Sequence, residues 1–162
     1  MRQNKFKANI LPVKDKLFRL ALGITKNKED AEDVVHDVLL RILEKNDWEE
    51  IENVEAYCFR SIRNRALDTI ALKDNQVEAF PDNFDYPFPD DLERNIEMQD
   101  QIDRVDNWLN KLPEKQQTIF RLREAEGLSY KEIASIMNIT DEQVKTYLFR
   151  LRRKLKKYFE RI

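Results

Sequence analysis

The fold is decided by the stretch Ser129-Tyr-Lys-Glu-Ile-Ala-Ser-Ile-Met-Asn-Ile-Thr-Asp-Glu-Gln-Val-Lys-Thr-Tyr-Leu-Phe-Arg-Leu-Arg-Arg-Lys-Leu-Lys-Lys157. This stretch predicts two helices joined by a tight turn. Ser129 and Glu132 form a capping-box pattern, in which each side chain binds a backbone N–H of the first helical turn. Thr140 and Gln143 repeat the pattern and predict the start of the second helix. Asn138 lies where the chain must reverse, and asparagine tolerates the left-handed conformation.

The spacing of this stretch is that of a DNA-reading helix-turn-helix. Ala134 is small, as expected where a second helix crosses close to the first, and Val144 begins the apolar face of that second helix. The outward face can enter a major groove with its first turns against base edges. We therefore predict DNA contacts from Glu142, Lys145, Thr146, Phe149, Arg150 and Arg153. The alternative is an ordinary helical hairpin with a solvated basic end.

The composition favours an all-α protein. Charged residues make up 37% of the 162 residues, hydrophobic residues 41%, and there are only two glycines. No apolar run approaches the roughly 20 residues of a membrane span, and no apolar core follows the basic N-terminus as in a signal peptide. The single cysteine, Cys58, excludes an internal disulfide and favours a cytoplasmic location.

The charge pattern divides the chain into two small helical domains and a linker. Residues 74–93 hold seven Asp/Glu, no Lys/Arg and three prolines, which predicts an acidic extended linker between domains at 1–73 and 94–162. Residues 129–162 hold nine Lys/Arg against four Asp/Glu, as expected of a surface that touches nucleic acid. The linker also carries four aromatic residues, which pack either in a partner's groove or on the chain's own domains: Phe80, Phe84, Tyr86 and Phe88.

Helical periodicity and caps place the other elements. In the first domain we predict helices at about 5–24, with Pro12 indicating a later start, at 28–45 and at 54–73. In the second domain we predict one helix from Leu92 to Leu112 and another over 114–126, with Gly127 as its C-terminal cap.

Two separated segments resemble one family. The C-terminal half resembles region 4 of bacterial sigma-70-family factors in three places: Leu112-Pro-Glu-Lys-Gln-Gln, Gly127-Leu-Ser-Tyr-Lys-Glu-Ile-Ala and the helix that follows. The N-terminal half resembles region 2 of the same factors in Asp30-Ala-Glu-Asp-Val-Val-His-Asp-Val-Leu-Leu-Arg41 and in Ala56-Tyr-Cys-Phe-Arg-Ser-Ile-Arg-Asn-Arg-Ala-Leu-Asp68. Two such domains joined by an acidic linker are the layout of the extracytoplasmic-function (ECF) sigma factors.

The resemblance implies three contact surfaces. The helix-turn-helix would read the −35 promoter element. The helix around 30–41 would dock on core RNA polymerase through Asp30, Glu32, Asp33, His36, Asp37 and Arg41. The next loop and helix would recognise and open the −10 element of promoter DNA, where aromatic rings stack on bases and arginines bind phosphates. The candidates there are Trp48, Tyr57, Arg60, Arg63, Asn64 and Arg65.

Other implications and departures follow from the same resemblance. An anti-sigma factor is an expected partner, and the linker would pass near the template and RNA path of the polymerase. His36 stands where the family most often has glutamine, and Thr69-Ile-Ala-Leu-Lys73 stands where basic residues are usual. Tyr57 and Phe59 are equally compatible with a place in the core.

Two other functions compete with that of a sigma factor. A helix-turn-helix regulator that does not bind core polymerase would need a ligand pocket or phosphoacceptor site, and the short N-terminal half offers neither. Asp33 or Glu32 with His36 has the spacing of helical metal sites, but His36 is the only histidine. Nucleophilic catalysis by Cys58 is not predicted either, because the chain offers no histidine other than His36 to activate it. We predict no catalysis, no cofactor and no bound metal.

Overall fold

The computed structural model describes residues 8–45, 47–73 and 98–160, and this part of the chain is helical without a β-strand. The all-α prediction is therefore confirmed. The acidic linker with its four aromatic residues lies outside the described residues, as do the first residues of the helices predicted to start near 5 and near 92. In chain order the α-helices are α1 (Lys14–Thr25), α2 (Lys28–Glu44), α3 (Val54–Lys73), α4 (Met98–Asn110), α5 (Glu114–Glu124), α6 (Tyr130–Met137) and α7 (Asp141–Glu160).

The N-terminal half is a three-helix unit in which α1, α2 and α3 pack on one another. A short 3-10 turn over Leu11–Val13 precedes α1, so the first α-helix starts at Lys14, in line with the later start that Pro12 indicated. Lys26, in the left-handed conformation with φ of 57°, ends α1. The Asn27 side chain then accepts a hydrogen bond from the backbone N–H of Asp30 and caps α2.

The C-terminal half contains α4 to α7. Pro113 precedes α5, and α5 ends at Glu124, two residues before the predicted end. Gly127 has φ of 68°, and its N–H donates to the Arg123 carbonyl, so it caps α5 as predicted. The capping box of Ser129 and Glu132 then starts α6. These local signals fix where the helix-turn-helix begins.

The two halves pack against each other and share one hydrophobic core. Helix α3 contacts α6, and α1 contacts α5. One continuous cluster of buried side chains joins the N-terminal half, with Phe59 and Ile62 fully buried, to Ile119, Ile133 and Val144 of the C-terminal half. A second, smaller cluster stays within the C-terminal half, where Trp108 of α4 packs against Tyr158 of α7. Burial of apolar area from both sides therefore stabilises one packed arrangement of the two halves.

Candidate nucleic-acid interface

Helix α7 presents an exposed polar face beside a buried apolar one. Thr140 and Gln143 make both hydrogen bonds of a second capping box, at 2.9 and 3.1 Å. Asn138 adopts φ of 56°, the left-handed turn expected between the two helices. With Val144 and Leu148 buried, every residue that we predicted to contact the −35 element is exposed: Glu142, Lys145, Thr146, Phe149, Arg150 and Arg153.

Interactions within this face limit which side chains are free to reach DNA. The Phe149 side chain is 61% exposed, an unusual place for a large apolar group, and the Arg153 guanidinium lies 5.6 Å from its ring centroid. Arg152 instead binds Glu124 of α5 at 2.7 Å, and this hydrogen bond raises the pKa of Arg152. Arg152 therefore helps to hold α7 on α5.

The arginines predicted to bind the −10 element are paired within the protein. The Arg63 guanidinium donates two hydrogen bonds to the Glu114 carboxylate, at 2.9 and 2.8 Å. Arg60 donates to the hydroxyl of Ser135 on α6 at 2.8 Å and to its backbone carbonyl at 3.2 Å. In the packed arrangement these two side chains hold the halves together, which the sequence did not reveal.

The remaining −10 candidates differ in their accessibility. Asn64 is exposed, and Tyr57 is half-buried, with its hydroxyl accepting a hydrogen bond from Lys45 at 3.3 Å. Arg65 donates to Asp37 of α2 at 2.8 Å. Trp48, in a short 3-10 turn, is only 1% exposed and belongs to the core. The prediction that Trp48 offers a stacking surface for bases is therefore wrong for this arrangement, because its apolar ring is better buried than solvated.

The acidic face of α2 is the surface predicted to dock on core polymerase. Glu32, Asp33, His36 and Arg41 are exposed there. Two other predicted contact residues have intramolecular partners, since Asp30 binds Lys73 at 2.6 Å and Asp37 binds both Arg65 and Arg41.

Leu40 also lies on the exposed side of α2, with 42% of its surface accessible, and we had not predicted it. The place of Leu40 on this face could have been predicted from its spacing from Asp33 and His36 (i, i+3, i+7), because such positions share one helical face. Leu40 therefore adds one apolar side chain to the exposed charged face of α2.

The remaining observations concern chemistry and membranes. Burial raises the pKa of the Cys58 thiol to about 12, so the thiolate that would act as a nucleophile is disfavoured. Among residues 8–45, 47–73 and 98–160, no three His, Cys, Asp or Glu side chains form a group that could hold a metal ion. Over the same ranges, every helix is too short or too polar to cross a membrane.

Comparison with known proteins finds matches for both halves of the chain. The family model for Sigma-70 region 2 matches residues 10–76, and the model for Sigma-70, region 4 matches residues 102–155. The ECF RNA polymerase sigma factor SigM of Bacillus subtilis (strain 168) is 25% identical over 145 residues, covering 90% of this chain and 89% of SigM. SigW of the same organism is 27% identical over 158 residues, covering 89% and 83%.

The fold is also that of a solved sigma factor. The sigma factor RpoE, in its complex with the anti-sigma factor NepR from Bartonella quintana, has a TM-score of 0.71 and 24% identity, covering 96% of this chain and 97% of that one. The two family models together span most of the chain in the order region 2, region 4. The chain belongs to the sigma-70 family, in its extracytoplasmic-function group. Its function is that of a promoter-specificity factor, which binds core RNA polymerase and promoter DNA to start transcription.

Proposed function

We propose that the two halves divide the work of promoter recognition. Residues 1–73 dock on core polymerase and recognise the −10 element, residues 94–162 read the −35 element, and the acidic residues 74–93 join them. The observation that carries this proposal is the exposed basic face of α7 in a doubly capped helix-turn-helix. A linker rich in carboxylates suits this role, because its charge repels the promoter phosphates that the basic face attracts.

The −35 reading rests on residue chemistry as well as on exposure. Lys145 and Arg150 can donate to guanine O6 and N7, Glu142 can accept from the cytosine amine, and Phe149 can contact the thymine methyl group. Thr146 donates to the Glu142 carbonyl at 3.0 Å, which leaves its methyl group on the exposed face. Arg153 and the basic residues beyond it supply phosphate contacts, which set affinity more than sequence preference.

For the −10 element, the residues that contact unstacked bases are the exposed Asn64 and the half-buried Tyr57. Arg60, Arg63 and Arg65 would bind phosphates once they leave their intramolecular partners. A promoter with separated −10 and −35 elements requires the two halves to move apart. The exchange is feasible because the hydrogen bond from a guanidinium to a phosphate is at least as strong as the bond to the carboxylate or hydroxyl that it replaces.

The test of the whole proposal is run-off transcription with purified core polymerase on a library of promoters. We expect sequence-dependent initiation above that of core polymerase alone, with preference at two separated elements. Initiation no greater than that of core polymerase across the library would refute it. A helix-turn-helix regulator, the competing interpretation, would bind DNA without binding core polymerase, so a pull-down with core separates the two.

The docking face on α2 gives a prediction for core binding. Glu32→Arg with Asp33→Arg should weaken the affinity for core polymerase at least tenfold, because like charges then face each other across the interface. Asp37 is left unchanged, since its loss would also disturb Arg65 and Arg41. The measurement is equilibrium binding of the labelled chain to core polymerase.

The matched control reverses two exposed acids elsewhere, Glu50→Arg with Glu52→Arg, and should leave core affinity within about twofold. Equal losses in the two double variants would reject the α2 assignment and point to a general effect of net charge.

Three further properties belong to this proposal. The protein acts without catalysis of its own, since promoter recognition needs only binding. It works in the cytoplasm, where polymerase and promoter DNA are found. An anti-sigma protein regulates it, a proposal supported by the likeness to RpoE, which was solved with such a partner.

A further inference from the structure

A cavity of about 390 Å³ lies between the two halves, with α1 on one side and α4 and α5 on the other. Part of its wall is apolar, and Gly23 lies against the Arg121 side chain, where a Cβ would make van der Waals contact at 3.4 Å from the Arg121 Cδ. Its charged lining consists of three cations and two carboxylates: Arg19, Lys26, Arg121, Asp106 and Glu126. The cavity is therefore a mixed apolar and basic space at the junction of the halves.

Two of these cations converge on one neutral oxygen. The Lys26 ammonium lies 2.7 Å from the Asn110 Oδ1, and the Arg121 Nη2 lies 3.2 Å from the same atom. The Arg121 Nε is buried and has no hydrogen-bond partner within the described part of the chain. A buried cationic donor without an acceptor is costly. An oxyanion beside the Lys26 ammonium and the Arg121 Nη2 would offset this cost, because these groups are met by the neutral amide oxygens of Asn110 and Gln117.

The carboxylates of the cavity only partly neutralise these cations. Glu126 is held by Arg19 through two hydrogen bonds of 2.7 and 2.9 Å, which leaves Asp106 opposite Lys26 and Arg121. Although part of the Lys26 side chain is exposed, burial and the neighbouring Arg121 lower the pKa of Lys26 to about 8, against the opposing effect of Asp106. Burial also lowers the pKa of Arg121. Near neutral pH both side chains remain charged, and the surroundings disfavour the charged form of each.

We propose that this cavity binds a small phosphate-bearing anion between Lys26 of the N-terminal half and Arg121 of the C-terminal half. The volume falls within the range of small-molecule sites, and the apolar wall strengthens charge-assisted hydrogen bonds by lowering the local dielectric constant. Because each half contributes one of the two cations, bound anion stabilises the packed arrangement over any form in which the halves are apart.

Inorganic pyrophosphate is the probe, titrated calorimetrically into the full-length chain at constant ionic strength kept with sodium chloride. We expect saturable binding at one site. Lys26→Gln and Arg121→Gln should each raise the Kd about tenfold or more, as expected for loss of a charge-assisted hydrogen bond. Asp106→Asn should lower the Kd, because it removes a like charge from the cavity; a merely structural role of these residues would not give this opposite effect.

Lys111→Gln is the matched control, an exposed lysine next to Asn110 but outside the cavity lining, and it should bind pyrophosphate as the unaltered chain does. Circular dichroism establishes that each variant is folded before titration. Absence of saturable binding to the unaltered chain, or an equal Kd in all four folded variants, would overturn the proposal. Run-off transcription without added anion tests the sigma function separately, so the two proposals can fail independently.

Discussion

Lys145→Ala with Arg150→Ala should abolish most of the dependence of transcription on the −35 element while core binding survives. Each good base contact contributes on the order of 1–3 kcal/mol of discrimination, so loss of two should cost about 2 kcal/mol or more, roughly 30-fold. Both side chains are exposed on α7. Among the described residues, Lys145 has only a long ion pair with Glu142, at 3.8 Å, to lose. The measurement is run-off transcription on matched and scrambled −35 elements.

The control for this double variant is Lys156→Ala with Lys157→Ala, which removes the same charge farther along α7. Because these residues are assigned to phosphates, their loss should weaken binding evenly across sequences and reduce the slope of log K against log salt by about 2. If the two double variants lost sequence preference equally, the assignment of base contacts to the first turns of α7 would be wrong. A parallel loss of core binding would indicate misfolding.

Trp48→Ala should destabilise the protein by about 3–5 kcal/mol, a large share of the stability of an ordinary domain. The ring is 1% exposed, and truncation leaves a cavity in the core that the N-terminal helices share. The free energy of unfolding, from urea denaturation followed by circular dichroism, measures the loss.

Phe149→Ala is the matched control, since Phe149 is also a large aromatic residue but is 61% exposed. Its free energy of unfolding should change by less than about 0.5 kcal/mol. A loss under about 1 kcal/mol for Trp48→Ala would contradict the burial of this ring and restore the interpretation that it serves as a stacking surface.

Features decided by neighbouring residues were predictable from the sequence. Both capping boxes, the left-handed Asn138 and the cap at Gly127 depend on hydrogen bonds within a few residues, so residue type and spacing suffice. The exposed face of α7 follows from the same logic, because a regular helix with Val144 and Leu148 buried must turn the intervening side chains outward.

Features decided by contacts between distant segments were not predictable in this way. Arg60 and Arg63 have the composition of a DNA-binding face, and nothing nearby in the sequence indicates that Ser135 and Glu114 accept their hydrogen bonds. Trp48 was misassigned for a related reason: an aromatic residue among acidic neighbours looks solvent-facing until the helices that cover it are placed. The cavity between Lys26 and Arg121 likewise exists only when the two halves meet.

The pairing of Arg60 and Arg63 with the C-terminal half has a consequence for control of the protein. The Nε–Nη2 edge of Arg63 that binds Glu114 cannot bind a promoter phosphate at the same time, so domain packing and −10 engagement through that edge, as proposed, compete with each other. Any agent that favours packing would raise the promoter concentration needed for half-occupancy without contacting the DNA-reading helix. Packing of the two halves would then inhibit promoter binding from within the molecule, and the fraction of unpacked chains would limit the rate of initiation.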